Sequence, residues 1–173
     1  MFFTIGHSTH PLERFIETLR VAGARYVADV RTMPRSRTNP QYNTDVLPDA
    51  LAQAGIGYEH IAALGGLRSR RREVQSDLNA FWENASFHNY ADYAMSEAFQ
   101  GGLSHLREIG REAPCAIMCA EALWWRCHRR IIADYLLAAG EDVRHIMADG
   151  KVTQARMTEA AHRERGVLVY PPA

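Results

Sequence analysis

Short apolar runs rich in β-forming residues alternate with segments of helical period along this chain, and that alternation restricts the fold more than any other feature. Phe2–Gly6, Tyr26–Val30, Ile56–His60, Cys115–Cys119, Val143–Ile146 and Val167–Tyr170 are too short for helices and read as strands. Between the first two, Leu12, Phe15, Ile16 and Leu19 recur at helical spacing, with Pro11 near the start and Gly23 just past the end. A helix from about Asp45 to Ala54 stops at Gly55, and one from Arg126 or Cys127 to Ala139 stops at Gly140. Tyr90–Ala98 and Leu103–Glu112 read as helices broken at Gly101-Gly102. A last helix is expected around Ala155–Arg165, and Leu64–Asn89 reads as a long loop or insertion.

Strands joined through helices need crossover connections, which predicts a single α/β domain over residues 1–173 with a largely parallel sheet flanked by helices. A chain of this length can bury a core of its own. Ligands of such sheets bind beyond the carboxyl ends of the strands, so the residues that follow each strand are the candidates for chemistry. They are His7 after the first, Asp29, Arg31, Arg35 and Arg37 after the second, His60 and Gly65-Gly66 after the third, Cys119 and Glu121 after the fourth, and His145 after the fifth.

The segment Val30–Pro40 carries Arg31, Arg35 and Arg37 on a loop stiffened by Pro34 and Pro40, with Asp29 placed to orient one guanidinium. Guanidinium groups bind phosphate or carboxylate through two parallel contacts, so this loop is read as an anion site. A second run, Arg68 to Arg72, is by itself a solvated charge run. It gains meaning if it shares the rim with the first, making a basic patch on a chain of zero formal net charge, with Trp124, Trp125, Tyr42 or Phe87 as base-stacking partners. Arginine supplies every basic residue except Lys151, which codon usage alone can produce.

Cys119-Ala120-Glu121 ends a strand, and Cys127-His128-Arg129 opens the helix that follows. A helix N-terminus favours anions and lowers the pKa of a nearby thiol. Cys119 and Glu121 are the stronger candidates, His128 and Arg129 come next, and Cys115 and Cys127 are read as packing. The spacing is not that of a metal-ligand set, and neither a metal nor a cofactor is expected. Three cysteines without a secretory leader predict free thiols in a reducing, cytoplasmic compartment, and no stretch is apolar enough to span a bilayer.

Three motifs resemble the family of domains of unknown function numbered 488. They are Thr4-Ile5-Gly6-His7-Ser8; Asp29-Val30-Arg31 through Pro34-Arg35-Ser36 to Asn39-Pro40; and Met118-Cys119-Ala120-Glu121 followed by Cys127-His128-Arg129. Leu64-Gly65-Gly66 is similar to the family too, whereas the Trp124-Trp125 pair departs from it. The resemblance implies an α/β fold but no reaction, although members sometimes carry a DNA-repair label. A fainter similarity is to rhodanese-like domains, with Asp29-Val30-Arg31 at one strand end and Cys119 at another.

Three functional readings stand on these residues. The first is an enzyme or binding domain for a phosphate-bearing ligand, a nucleic acid or nucleotide, held by Arg31, Arg35 and Arg37, with Glu121 and His7 in proton transfer or polar recognition. The second is rhodanese-like thiol chemistry with Cys119 as nucleophile and Arg31 or Arg129 stabilising its thiolate. The third is a non-catalytic interaction module that presents Trp124-Trp125 as an anchor.

Overall fold

The period-two alternation of strand side chains decides which of two cores each residue joins. In the computed structural model, which describes residues 1–173, the eight strands are β1 (Phe2–Gly6), β2 (Tyr26–Asp29), β3 (Gly57–His60), β4 (Cys115–Cys119), β5 (Val143–Ile146), β6 (Val152–Gln154), β7 (His162–Glu164) and β8 (Val167–Val169). Five α-helices accompany them: α1 (Leu12–Ala22), α2 (Leu47–Gln53), α3 (Ala85–Ala94), α4 (Glu97–Glu112) and α5 (Arg129–Ala138). Phe3, Ile5, Val27, Ala116 and Met118 pack on one face with Phe15 and Leu19 of α1 and Leu47 and Leu51 of α2. Phe2, Ala28, Cys115, Ile117 and Cys119 pack on the other with α3, α4 and α5. Both faces of the sheet are covered, which explains why its central strands read as continuous apolar runs.

The six-stranded sheet has the order β3-β2-β4-β1-β5-β6. All pairings are parallel except β5 with β6. The chain leaves β1 towards β2 on the α1 face and leaves β4 towards β5 on the α5 face. These adjacent strands therefore send their connections in opposite directions, and a crevice opens beyond their carboxyl ends.

The carboxyl-terminal part differs from its sequence reading. No helix forms over Ala155–Arg165: β6 adds an antiparallel edge to β5, and β7 and β8 pair as a separate hairpin. Buried positions in that segment are few, chiefly Ala155 and Thr158, too sparse for a helical stripe. Arg165 and Gly166 both have positive φ, 50° and 83°, the geometry of a tight hairpin turn.

The two middle helices also move. α3 starts at Ala85, where the Asn84 side chain accepts from the Ser86 and Phe87 amides. α4 runs unbroken through Gly101-Gly102, because the interruption falls at Ser96, whose hydroxyl caps Phe99. Gly102 serves packing instead: a Cβ there would stand 2.9 Å from the Ala63 methyl.

Candidate thiol site

At the crevice between β1 and β4 the two strand ends lie in backbone contact. The His7 amide donates to the Cys119 carbonyl at 2.9 Å and the Ser8 amide to the Ala120 carbonyl at 3.0 Å. This closeness requires Gly6, whose added Cβ would fall 1.9 Å from the Glu121 carbonyl oxygen. Ser8 turns the chain away with φ of 50°, a left-handed conformation costly for a residue with a side chain. A cavity of about 390 Å³ opens here, within the range of small-molecule sites. His7, Arg31, Arg35, Cys119, Glu121, Arg126, Cys127 and His128 all contribute to its wall. The strand-end residues thus converge as the parallel sheet requires, with Asp29 one layer behind Arg31.

The floor is a pair of thiols. Cys119 Sγ lies 2.7 Å from Cys127 Sγ, and neither residue is more than 5 % exposed. Parity puts Cys119 on the α5 face, and the turn Trp124–Arg126 brings Cys127 back to it. Arg129, fully buried, donates through Nε to both sulfurs, at 3.0 Å and 3.3 Å. Its remaining donors go to the Thr4 hydroxyl and the Glu121 carbonyl. None of these partners is a carboxylate. A buried guanidinium that loses its counter-charge costs about 3–5 kcal/mol, so Arg129 favours a negative charge on the sulfur pair.

Of the two sulfurs, Cys127 is the one whose ionisation its surroundings favour. Burial opposes its ionisation, but the Cys119 hydrogen bond, His128 and Arg129 together hold its thiol well below the ordinary range. The Arg129 amide, in the first turn of α5, also points at this sulfur at 3.4 Å. His128 places Nδ1 3.5 Å from the same atom, while its Nε2–H donates to the Val30 carbonyl at 2.8 Å. The ring therefore has its tautomer set by a neighbour, leaving Nδ1 to exchange a proton with the thiol. Burial and the bond to Cys127 push Cys119 the other way, well above the ordinary thiol value.

His7 and Arg31 form the opposite wall. Arg31 spends Nε and Nη2 on the two Asp29 oxygens, at 2.9 Å and 2.7 Å, and Nη2 also reaches the Tyr42 carbonyl. Tyr58 donates to the same carboxylate at 2.5 Å. Asp29 is fully buried and engaged on both oxygens, so it orients Arg31 and does not meet the cavity. The Arg31 fork is occupied as well, leaving Nη1, 3.4 Å from His7 Nε2, as its cavity-side group. His7 donates from Nδ1 to the Ser8 carbonyl and stacks on Tyr42 at 4.1 Å. Burial lowers its pKa from 6.5 to about 4, against the raising effect of the Ser8 carbonyl, and it is neutral near pH 7.

The outer residues divide. Arg35 and Arg126 are exposed, reach the cavity and make no ion pair, and Glu121 is the single carboxylate on its wall. Arg37 is exposed and lies off the wall. The arginine loop is also held by Asn43 Oδ1, which accepts from the Ser36 amide, and by Ser36 Oγ, which accepts from the Asn39 amide. The second arginine run does not join this rim: Arg68 donates to the Ala62 and Gly65 carbonyls and lies 3.8 Å over the Tyr93 ring. Trp124 stacks on His145 at 4.1 Å with Trp125 against its edge, and neither tryptophan lines the cavity. Trp125 remains 41 % exposed.

Sequence reading leaned to packing for Cys127, and it named Arg126 at the strand end without assigning it to the anion site. The available signal was Cys127-His128, a thiol and an imidazole beside a helix start. What hid it was that an eight-residue separation from Cys119 says nothing about contact until the turn between them is known. Gly65-Gly66 has its explanation here too, since a Cβ on Gly66 would meet His128 Nδ1 at 2.5 Å. No group of three or more His, Cys, Asp or Glu side chains is arranged to hold a metal ion. No helix is long and apolar enough to cross a membrane.

Compared with known proteins, residues 11–136 match the family model described as Domain of unknown function DUF488. No curated protein and no solved structure matches the chain.

Proposed function

The chain belongs to the DUF488 family, a grouping whose name specifies no reaction, and on that premise we propose that its cavity is the active site of a cysteine-thiolate enzyme acting on a small anionic electrophile. The observation that carries this reading is Arg129, fully buried and bonded to two sulfurs with no carboxylate partner. The nucleophile is Cys127, in place of the Cys119 favoured by sequence, because Cys127 holds the contacts to His128 and to the helix N-terminus.

The chemistry follows from these contacts. Cys127 has already passed its proton to His128 Nδ1 and meets the electrophile as a thiolate. The thiolate attacks the electrophilic atom, a sulfane sulfur in the rhodanese-like case, and the bond from that atom to the leaving group breaks. The electron pair departs with the leaving group, which takes the proton from His128. Arg35, Arg126 and Arg31 Nη1 attract the anion and bear the charge of the leaving group. Neutral His7 accepts or relays a hydrogen bond beside Arg31 without adding charge.

A second reading keeps the same pocket for a phosphate-bearing ligand. It is favoured by the unpaired Arg35 and Arg126 and by Ser86 and Phe87 at the cavity edge. The cavity volume is of the size that holds one nucleotide-sized group.

The test compares alkylation by anionic iodoacetate and neutral iodoacetamide, followed by single-turnover sulfur transfer from thiosulfate. Expected are preferential modification of Cys127 by the anionic reagent, loss of that preference in an Arg35→Ala/Arg126→Ala double variant, and a persulfide on Cys127 that Cys127→Ser lacks. Cys127 labelling no faster than an ordinary thiol at pH 7 would sink the thiolate reading. Salt-sensitive mononucleotide binding without thiosulfate turnover would move the second reading ahead.

A further inference from the structure

The nucleophile reading uses one sulfur, yet the cavity floor holds two. We propose that Cys119 and Cys127 are a redox couple that cycles between a dithiol and an intramolecular disulfide by exchange with a carboxylate-bearing low-molecular-weight disulfide. This rests on Cys127 being the reactive thiolate, and it adds a resolving role for Cys119.

Three observations carry it. The two sulfurs are 2.7 Å apart, less than 1 Å beyond a covalent S–S bond of about 2.05 Å, so bonding needs little movement of either chain. Both residues line one cavity, so a reagent that reaches one reaches the other. Cys115, the third thiol, is fully buried on β4 and lies outside that wall, so it does not compete. The class of oxidant follows from the wall itself, where Arg31, Arg35, Arg126 and His128 face a single carboxylate, Glu121.

The exchange balances in two steps. The Cys127 thiolate attacks one sulfur of R–S–S–R, forming a mixed disulfide and releasing one thiolate, RS⁻. Cys119 then loses its proton and attacks the Cys127 sulfur, forming the Cys119–Cys127 bond and expelling the second RS⁻. The protein has lost two electrons and two protons, one from Cys119 and one that Cys127 had left on His128, and the external disulfide has become two thiols. A monothiol in excess reverses both steps.

Arg129 sets the position of this equilibrium. In the dithiol state it neutralises the Cys127 thiolate, and in the disulfide state it is a buried cation with no anion. Reduced protein is therefore favoured, and the disulfide is more easily reduced than a structural one, because a stabilised reduced form makes an oxidising couple. The bond would also staple the end of β4 to the start of α5 across the loop that carries Glu121 and Arg126, removing the nucleophile while it lasts.

The experiment equilibrates the full chain with oxidised glutathione, with neutral hydroxyethyl disulfide and with cationic cystamine, then maps thiols by alkylation and peptide mass. The expected wild-type product is a Cys119–Cys127 cross-linked peptide with Cys115 free. Glutathione should react about tenfold or more faster than cystamine at low salt. Cys119→Ser should trap one glutathione on Cys127, and Cys127→Ser should form no cross-link. Arg129→Met should shift the equilibrium towards the disulfide by about tenfold or more, a readout that loss of packing alone does not produce. Accumulation of a stable mixed disulfide in wild type would overturn the resolving role of Cys119. Equal rates with glutathione and cystamine would overturn the anionic specificity. A cross-link without thiosulfate turnover supports the redox couple and counts against sulfur transfer. Thiosulfate turnover by wild type with no cross-link does the reverse, so the two proposals fail separately.

Discussion

His128 places Nδ1 3.5 Å from the Cys127 sulfur while its other ring nitrogen donates to the Val30 carbonyl at the end of β2. A residue just before α5 is thus oriented by backbone from the far side of β4. Burial alone pushes thiols up, as at Cys115, raised to about 12. Labelling at pH 7 should therefore rank Cys127 first, Cys119 second and Cys115 last, with Cys115 protected until unfolding. His128→Gln should slow Cys127 labelling by about 100-fold, the order of an acid–base partner. A timed alkylation series resolved by peptide mapping checks both, and faster labelling of Cys119 than Cys127 would reverse the assignment.

Arg31 and Asp29 behave as one buried unit. Asp29 is fully buried, and removing its cation leaves a charge with no counter-ion. Arg31→Ala should destabilise the fold by about 3–5 kcal/mol. Arg31→Lys should recover little, since an ammonium cannot match two carboxylate oxygens and the Tyr42 carbonyl together. Arg35→Ala, on an exposed side chain, should leave stability unchanged and weaken anion capture in a salt-dependent way. Urea unfolding of the three variants decides the matter, and equal stability of Arg31→Ala and wild type would contradict it.

The glycines separate packing from conformation. Gly66→Ala drives a methyl into the His128 ring, with contacts of 2.5 Å to 2.9 Å, and should cost about 1–3 kcal/mol. It should also lower Cys127 reactivity by turning Nδ1 away. Gly101→Ala meets nothing within 4 Å inside α4 and should stabilise the protein by up to about 1 kcal/mol. Thermal melts and alkylation rates of both variants read the contrast directly.

Two histidines predict acid sensitivity. Burial is the main force that brings His7 and His145 from 6.5 to about 4, and Arg129 adds to it at His145. Above pH 6.5 both are neutral folded or unfolded, so they contribute nothing to the pH dependence. As pH falls below 6.5 the unfolded chain binds protons that the folded chain refuses. Stability then drops until about pH 4, where the folded histidines also charge. The loss should be about 1–3 kcal/mol for each. His145→Gln should flatten the slope by roughly half. Denaturant midpoints that stay level from pH 7 to pH 5 would show that neither ring is held neutral.

Much of the fold was legible in the sequence because hydrophobic period is a local property. Phe2–Gly6, Cys115–Cys119 and the Leu12-Phe15-Leu19 stripe declare strand or helix within their own lengths, and alternating them dictates a mostly parallel sheet. The same logic put His7, Arg31, Cys119 and Glu121 on one rim, because parallel strands end on one side. Local pattern failed where long-range contact outweighed it. Gly101-Gly102 resembled a break but lies within α4, with Gly102 against Ala63 and Leu64, and Ala155–Arg165 resembled a helix but is irregular until β7, which pairs with β8 as a hairpin.

Residue identity could nominate the groups that carry chemistry, but not their partners. That Arg31 gives its fork to Asp29 rather than to a ligand depends on a rotamer inside a closed strand end. Arg68 turns to carbonyls rather than to the rim because the 62–65 turn stands beneath it. Above all, the sulfur pair joins residues eight apart through a single turn, under an arginine whose burial no sequence pattern announces. Composition and period set which elements form and where their ends gather. Charge state and reactivity arise from desolvation and from distances of 3 Å to 4 Å, which exist only after the chain has packed.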